Sequence, residues 1–154
     1  MKDKFKILSK LPYSQPFHFV EEISHIDENG AEGTFTFKET MDFYKGHFTS
    51  KPVTPGVILT ECCAQIGMVC LGIYLLDKTL ATDQNEKELQ IAMSSSEMEF
   101  YLPVWPGETV KVVSEKQYFR FNKLKCKVKM FNVEEKLVCQ GILAGMIKTD
   151  AYAK

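Results

Sequence analysis

Two titratable side chains flank a predicted helix start in the segment GHFTSKPVTPGVILTECCAQ. His47 carries an imidazole, a group that can accept a proton near neutral pH. Glu61 is the only charged residue in the apolar run that follows. Between them, Thr54, Pro55 and Gly56 are typical of an N-cap and first turn, because Pro there sacrifices only an N–H that lacks a partner anyway. The segment therefore predicts a base and an acid around a helix N-terminus.

The surroundings of Glu61 favour a carboxyl that keeps its proton. It lies one turn into the predicted helix, within the apolar run 57–76, where desolvation disfavours the ionised form and raises the pKa. A protonated carboxyl can act as a general acid, and the N–H of Gly56 can stabilise an oxyanion. This combination suits the loss of water from a 3-hydroxyacyl thioester: His47 removes the C2 proton and Glu61 protonates the departing hydroxyl.

The same segment resembles a known family, the 3-hydroxyacyl-[acyl-carrier-protein] dehydratases of fatty-acid synthesis, which have the hot-dog fold. The family motif is roughly G-H-F-P-x-x-P-V-x-P-G-V-L-x-x-E-A-x-A-Q, and this chain matches it at positions that include His47, Gly56 and Glu61. The segments at 11–20 and 100–107 are similar to the family's L-P-H-x-x-P-F and F-x-x-P-V-x-P-G motifs. The resemblance therefore covers nearly the whole chain.

The resemblance implies the conversion of (3R)-3-hydroxyacyl-[acyl-carrier-protein] to the trans-2-enoyl product without a metal or cofactor. Thr49-Ser50 replaces the family's Pro-Gly, and Cys62-Cys63 replaces small or thioether residues. These departures suggest a side branch of the family, such as a dehydratase of a polyketide or polyene pathway, rather than the housekeeping enzyme of fatty-acid synthesis. An amide cannot act as acid or base, so Gln65 is expected to orient its neighbours. The residues expected to shape the substrate pocket, where core packing explains the aromatics equally well, are Phe43, Tyr44, Phe48, Val57 and Gln65.

A helix that is apolar nearly all round needs cover on every side, and one curved sheet covers only part of it. In the family, two protomers join their sheets, and each site takes its His from one subunit and its Glu from the other. The resemblance therefore predicts an obligate homodimer, or a trimer of such dimers, with His47 facing Glu61 of its partner.

A row of lysines could receive the acidic acyl carrier protein that the resemblance implies as a partner. A lysine row on the wet face of a strand is more often a solvated surface that resists aggregation. The row consists of Lys123, Lys125, Lys127 and Lys129, with Arg120 nearby.

Composition is that of one domain, residues 1–154, with 45% hydrophobic and 25% charged residues. The formal net charge of −1 gives no reason to expect nucleic acid or a membrane surface as a partner. No apolar stretch follows the charged N-terminus, so we expect a cytoplasmic protein. The acid and amide four residues apart on helix 57–76 favour a buried helix over a membrane span. The five cysteines lack ligand spacing, which predicts no metal site.

The remaining segments predict strands and an α+β fold. Residues 17–27 and 31–38 form a predicted hairpin around Asn29-Gly30. Four strands follow a polar loop at 82–87, and the order predicts an antiparallel sheet curled around the apolar helix. The four strands are residues 89–102, 108–121, 124–133 and 137–148.

Two alternatives to dehydration stay open from the residues. A hot-dog thioesterase would use Glu61 to activate water or to attack the thioester. A non-catalytic acyl-binding module would bind an acyl group without proton transfer by His47 or Glu61. A nucleophilic Cys63 has only its closeness to Glu61 in its favour.

Overall fold

One antiparallel sheet wraps the helix that carries Glu61. The computed structural model describes residues 2–79 and 89–149. The central helix runs as α2 (Gly56–Cys63), a π-helical segment (Ala64–Val69) and α3 (Cys70–Thr79). The other elements are α1 (Lys2–Lys10), β1 (Glu22–Asp27), β2 (Gly30–Thr36), a 3-10 helix (Asp42–Lys45), β3 (Leu89–Phe100), β4 (Thr109–Arg120), β5 (Lys123–Phe131) and β6 (Leu137–Thr149).

The six strands of the described residues form one sheet in the order β1-β2-β4-β5-β6-β3, and each pairing is antiparallel. This arrangement confirms the predicted α+β class and the hot-dog fold. β1 and β3 are the two edges of the sheet. The predicted loop at 82–87 lies outside the described residues.

The first hairpin turns where the sequence predicts it. Asp27 pairs with Gly30, and the Asp27 carboxylate accepts hydrogen bonds from the N–H groups of Asn29 and Gly30 at 2.7 and 3.2 Å. Asp favours such a turn because its side-chain oxygen accepts hydrogen bonds from the backbone N–H groups that follow it. The first strand is shorter than predicted, since residues 17–21 precede the start of β1 at Glu22.

Helix α1 was not predicted from the sequence. Its charged residues obscured a short apolar face that includes Ile7 and Leu8, and Ile7 is buried against the core. An ion pair of 2.9 Å between Lys10 and Asp77 ties α1 to α3. The spacing of Ile7, Leu8 and Leu11 is typical of one helical face and is the signal that could have revealed the helix.

The long helix is the core of the fold. Gly56–Lys78 is long and apolar enough to cross a bilayer, but 72% of its most apolar window is buried inside the protein. A buried core helix is expected to be this apolar. The burial agrees with the prediction that Glu61 and Gln65 belong to a core helix.

Strand β5 alternates as predicted. Its inward side chains are fully buried against the helix, whereas Lys127 is exposed and the other lysines of the row are partly exposed. Alternation of this kind marks a sheet with one face on the core and one in water. The buried side chains are Leu124, Cys126, Val128 and Met130.

Gly67 lets the helix approach the sheet closely. A Cβ on Gly67 would lie 2.9 Å from Cβ of Ser114 and 3.0 Å from Cγ1 of Val128. Both atoms are close to their strand backbones, so a side chain at this position would push the helix away from β4 and β5. Gly46 is a contrasting case, because a Cβ there would meet no atom of the described residues within 4 Å.

We expect Gly67→Ala to lower the free energy of unfolding by about 1–2 kcal/mol. Overpacking costs about 1–3 kcal/mol and exceeds the gain of up to about 1 kcal/mol from replacing a helical glycine. Chemical denaturation would measure the loss, with Gly46→Ala as the matched control, which should stay near the wild type. A Gly67→Ala protein as stable as the wild type would show that the helix does not need this close approach.

Candidate active site

His47 lies in a tight loop that fixes its imidazole. Its backbone N–H donates to the Phe43 carbonyl at 3.1 Å, and its carbonyl accepts from the Val53 N–H at 2.9 Å. Its Nδ1 lies 2.9 Å from the Val53 carbonyl oxygen. Because a carbonyl can only accept, Nδ1 carries the hydrogen, and the neutral ring keeps its lone pair on Nε2. The loop therefore presents Nε2 as the basic atom.

The aromatic residues predicted to line the pocket differ in their contacts and in their exposure. Phe48 stacks on the His47 ring with a centroid distance of 4.0 Å and is 56% exposed. Phe43 is partly buried and contacts the ring of Tyr44 at 4.7 Å. Tyr44 is buried, and its hydroxyl bonds the Thr54 hydroxyl. A role of these residues in binding substrate stays a prediction.

The helix begins one residue later than predicted. Pro55 is the N-cap and Gly56 the first helical residue, and the Thr54 hydroxyl is engaged by Tyr44 instead of capping the helix. The Gly56 N–H falls in the first turn, where it has no intrahelical partner. A Cβ on Gly56 would lie 3.4 Å from the tip of the Phe100 ring, and the neighbouring Val57 is 76% exposed. Among the described residues the Gly56 N–H therefore has no hydrogen-bond partner, and exposed apolar side chains lie next to it.

Glu61 is partly buried on the first turns of the helix. Burial raises the pKa of its carboxyl above the ordinary value, and the hydrogen bond from Gln65 opposes part of that rise. The direction agrees with the expectation from the sequence. A carboxyl of this kind holds its proton to higher pH than a solvated one and can serve as an acid.

Gln65 orients Glu61 through a complete hydrogen-bond network. Its side chain is fully buried, and its Oε1 accepts from the Phe19 N–H at 2.7 Å. Its Nε2 donates to the Phe17 carbonyl at 3.2 Å and to Glu61 Oε2 at 2.9 Å. The backbone partners fix the orientation of the amide, because an N–H can only donate and a carbonyl can only accept. Since Glu61 Oε2 accepts a hydrogen bond, the acidic proton belongs on Oε1.

The partners of Gln65 on residues 17–19 are the part of the site that the sequence did not reveal. They are backbone groups, so no side-chain pattern marks them. The only signal is Gln65 itself, because a buried amide must find donors and acceptors elsewhere in the chain.

Each of the two predicted catalytic side chains has its own partners within the chain. His47 contacts Phe48 and Val53, whereas Glu61 bonds Gln65. Both residues lie in the described part of the chain, where no hydrogen bond or ion pair joins one to the other.

Cys63 does not have the properties of a nucleophile. It is fully buried, and a hydrogen bond with Cys139 together with burial raises the pKa of its thiol well above the ordinary value. Only the thiolate is strongly nucleophilic, so this thiol is inert at neutral pH. The other four cysteines are buried as well.

Known proteins are similar in sequence to this chain over most of its length. The chain is 30% identical over 149 residues to a protein of Caldicellulosiruptor saccharolyticus named 3-hydroxyacyl-[acyl-carrier-protein] dehydratase FabZ, with 96% of this chain and 100% of that protein covered. A Sinorhizobium medicae protein of the same name is 34% identical over 146 residues, which cover 92% of this chain and 87% of that one.

A solved structure and a family model agree with these relatives. The dehydratase heterocomplex ApeI:P from Xenorhabdus doucetiae includes a chain with a TM-score of 0.74 and 11% identity, covering 92% of this chain and 90% of that one. At that identity the likeness concerns the fold. The FabA-like domain model matches residues 11–143. The chain therefore belongs to the FabA-like domain family.

Proposed function

We propose that this protein is a dehydratase that converts (3R)-3-hydroxyacyl-[acyl-carrier-protein] to the trans-2-enoyl form. The observation that carries the proposal is the Glu61 carboxyl, which is partly buried and held at Oε2 by Gln65 while Oε1 is left to carry a proton. The names of the FabZ relatives support the substrate class. The oriented Nε2 of His47 supports the accompanying base.

The reaction begins when the thioester carbonyl accepts a hydrogen bond from the Gly56 N–H. Nε2 of neutral His47 takes the C2 proton, and the C–H electron pair forms the C2=C3 double bond. The C3–O bond breaks, and Glu61 Oε1 gives its proton to the departing hydroxyl, which leaves as water. Return of a proton from His47 to Glu61 restores the starting state. Acid, base and oxyanion donor each lower the barrier to the same elimination.

The active unit is a dimer in which His47 of one protomer faces Glu61 of the other. The lack of a bond between these residues within one chain supports this arrangement. β3 supports it as well, because this twelve-residue strand is a sheet edge with mostly exposed side chains. A long edge strand and exposed apolar side chains are expected to be covered by a partner. The dimer could assemble further into a trimer of dimers.

The acyl carrier protein docks on the outward face of β4 and β5. Lys125 lies opposite Tyr118 and Lys123 opposite Arg120, so cations and an aromatic ring share one surface. The Arg120 guanidinium lies 4.3 Å from the centre of the Tyr118 ring. Such a surface is complementary to an acidic partner and would steer its association. The enzyme acts in the cytoplasm, where fatty acids or related polyketides and polyenes are assembled.

His47→Ala and Glu61→Gln should each lower kcat for dehydration by about 10²–10⁴-fold, because each removes one proton-transfer group. The enoyl absorbance formed from a 3-hydroxyacyl thioester measures the rate. His25→Ala and Glu22→Gln are matched controls on β1 and should keep the wild-type rate.

Dehydration that survives both catalytic substitutions would disprove the mechanism. Release of free thiol from an acyl thioester, without enoyl product, would identify a thioesterase instead. A wild-type protein that binds the thioester and forms neither product would identify an acyl-binding module.

The double substitution Lys123→Glu/Lys125→Glu should lower kcat/KM for a carrier-bound substrate by about tenfold or more, since it reverses charges that steer docking. The rate with the same acyl group on a small thiol, N-acetylcysteamine, should not change. Lys136→Glu is the matched control, because this exposed lysine lies in the turn beyond the far end of β5. Equal loss with both substrates, or no loss with either, would exclude this face as the docking surface.

A further inference from the structure

The loop that carries His47 continues past the histidine into an exposed tip, residues 48–51. A hydrogen bond of 3.3 Å from the Phe48 N–H to the Lys51 carbonyl closes the backbone of this tip on itself. Among the described residues, the side chains of Thr49 and Ser50 form no hydrogen bond with the rest of the protein. A polar contact that holds the tip must therefore come from another side chain.

Lys51 makes such a contact with Trp105. Its Nζ lies 5.1 Å from the centre of the Trp105 ring, which is within the range of a cation–π interaction. Among aromatic side chains, tryptophan attracts a cation most strongly. The ring belongs to the segment between β3 and β4 and is 37% exposed, so the contact lies at the surface.

Hydrogen bonds fix the segment that carries Trp105. The Trp105 N–H donates to the Glu108 carboxylate at 2.9 Å, and the Trp105 carbonyl accepts from the Glu108 N–H at 3.1 Å. The Glu108 carbonyl in turn accepts from the N–H of Phe37, a fully buried residue, at 2.9 Å. The buried Val104 accepts from the Thr54 N–H at 2.9 Å. Trp105 is therefore tied to the core and lies next to the end of the histidine loop.

The tip of the loop is joined directly to the base. Phe48 stacks on the His47 ring at a centroid distance of 4.0 Å, and both Nδ1 and the carbonyl of His47 bond to Val53 on the returning side of the loop. A tip that moves would therefore change the direction of Nε2. The family motif has proline where Thr49 stands, and a proline ring would fix φ at that position. Without this restraint, a contact at the tip has more effect.

We propose that Trp105 is a positioning residue that holds the loop tip through Lys51 and so keeps the His47 base in place. Neither side chain takes part in the proton transfers. A surface cation–π contact shifts a local equilibrium by about 2–5-fold, so this one sets how often the loop opens. The inference rests on the proposed function in naming His47 as the base.

Amide hydrogen exchange, followed by NMR in the full-length protein, measures the opening of the loop. The Val53 N–H is bonded to the His47 carbonyl and exchanges when the loop opens. Lys51→Met and Trp105→Leu should each speed this exchange by about 2–5-fold. Lys51→Arg keeps the cation and should exchange at the wild-type rate. The Asn132 N–H, bonded in the turn after β5, should not change in any variant.

The kcat for a 3-hydroxyacyl thioester of N-acetylcysteamine is the second readout. Lys51→Met and Trp105→Leu should each lower kcat by about 2–5-fold without a change in KM, because the base is in place less often. The double variant should lose no more than the larger single loss, since both substitutions remove the same contact. Lys78→Met is the matched control and should keep the wild-type kcat. It removes a similar contact elsewhere, because Lys78 Nζ lies 5.3 Å from the Tyr74 ring on α3.

Unchanged exchange of the Val53 N–H in Lys51→Met would overturn the proposal, as would single losses of kcat that multiply in the double variant. An unchanged kcat in Lys51→Met would do the same, because the contact would then serve stability alone. Lys51 is exposed, so its variants keep the test decisive if Trp105→Leu does not fold. A wild type that forms no enoyl product would instead disprove the proposed function. The exchange rates then still decide whether Trp105 holds the loop.

Discussion

One buried amide fixes where the chain before β1 crosses the helix that carries the acid. Gln65 is fully buried, and a buried amide without partners would cost about 1–3 kcal/mol for each unsatisfied group. Its three hydrogen bonds require the Phe17 carbonyl, the Phe19 N–H and the Glu61 carboxyl to lie around it. The chain before β1 must therefore cross the helix at this point. The Phe19 ring then packs against Phe35 of β2 and leads the chain into the sheet.

The same constraint explains how an acid can exist on an apolar helix. Burial favours the protonated carboxyl, whereas the N–H of Gln65 favours the ionised one. The first effect is the larger, so Glu61 is held in one orientation while its pKa stays above the ordinary value. The π-helical segment begins directly after α2 and contains Gln65, and such interruptions of a helix are frequent at functional sites. The position of the acid and its raised pKa therefore come from one region of the helix.

The sequence predicted the parts of this structure that depend on local patterns. The alternation along β5, the Asn29-Gly30 turn and the apolar central helix follow from side-chain periodicity and turn chemistry, and each was found. The start of the helix was one residue off, because Thr54 bonds Tyr44 instead of capping. α1 was missed because lysines interrupt its apolar face. The two backbone partners of Gln65 could not be predicted, because they lie 46 and 48 residues away along the chain.

The proposed site is completed by two protomers, each of which supplies one of its two proton-transfer groups. His47→Ala and Glu61→Gln chains that are denatured together and refolded as a mixture test it directly. Random pairing makes about half of the dimers mixed, and each mixed dimer has one intact site, so about a quarter of the wild-type activity should return. A mixture as inactive as either variant alone would contradict the account, because it would mean that His47 and Glu61 of the same chain act together.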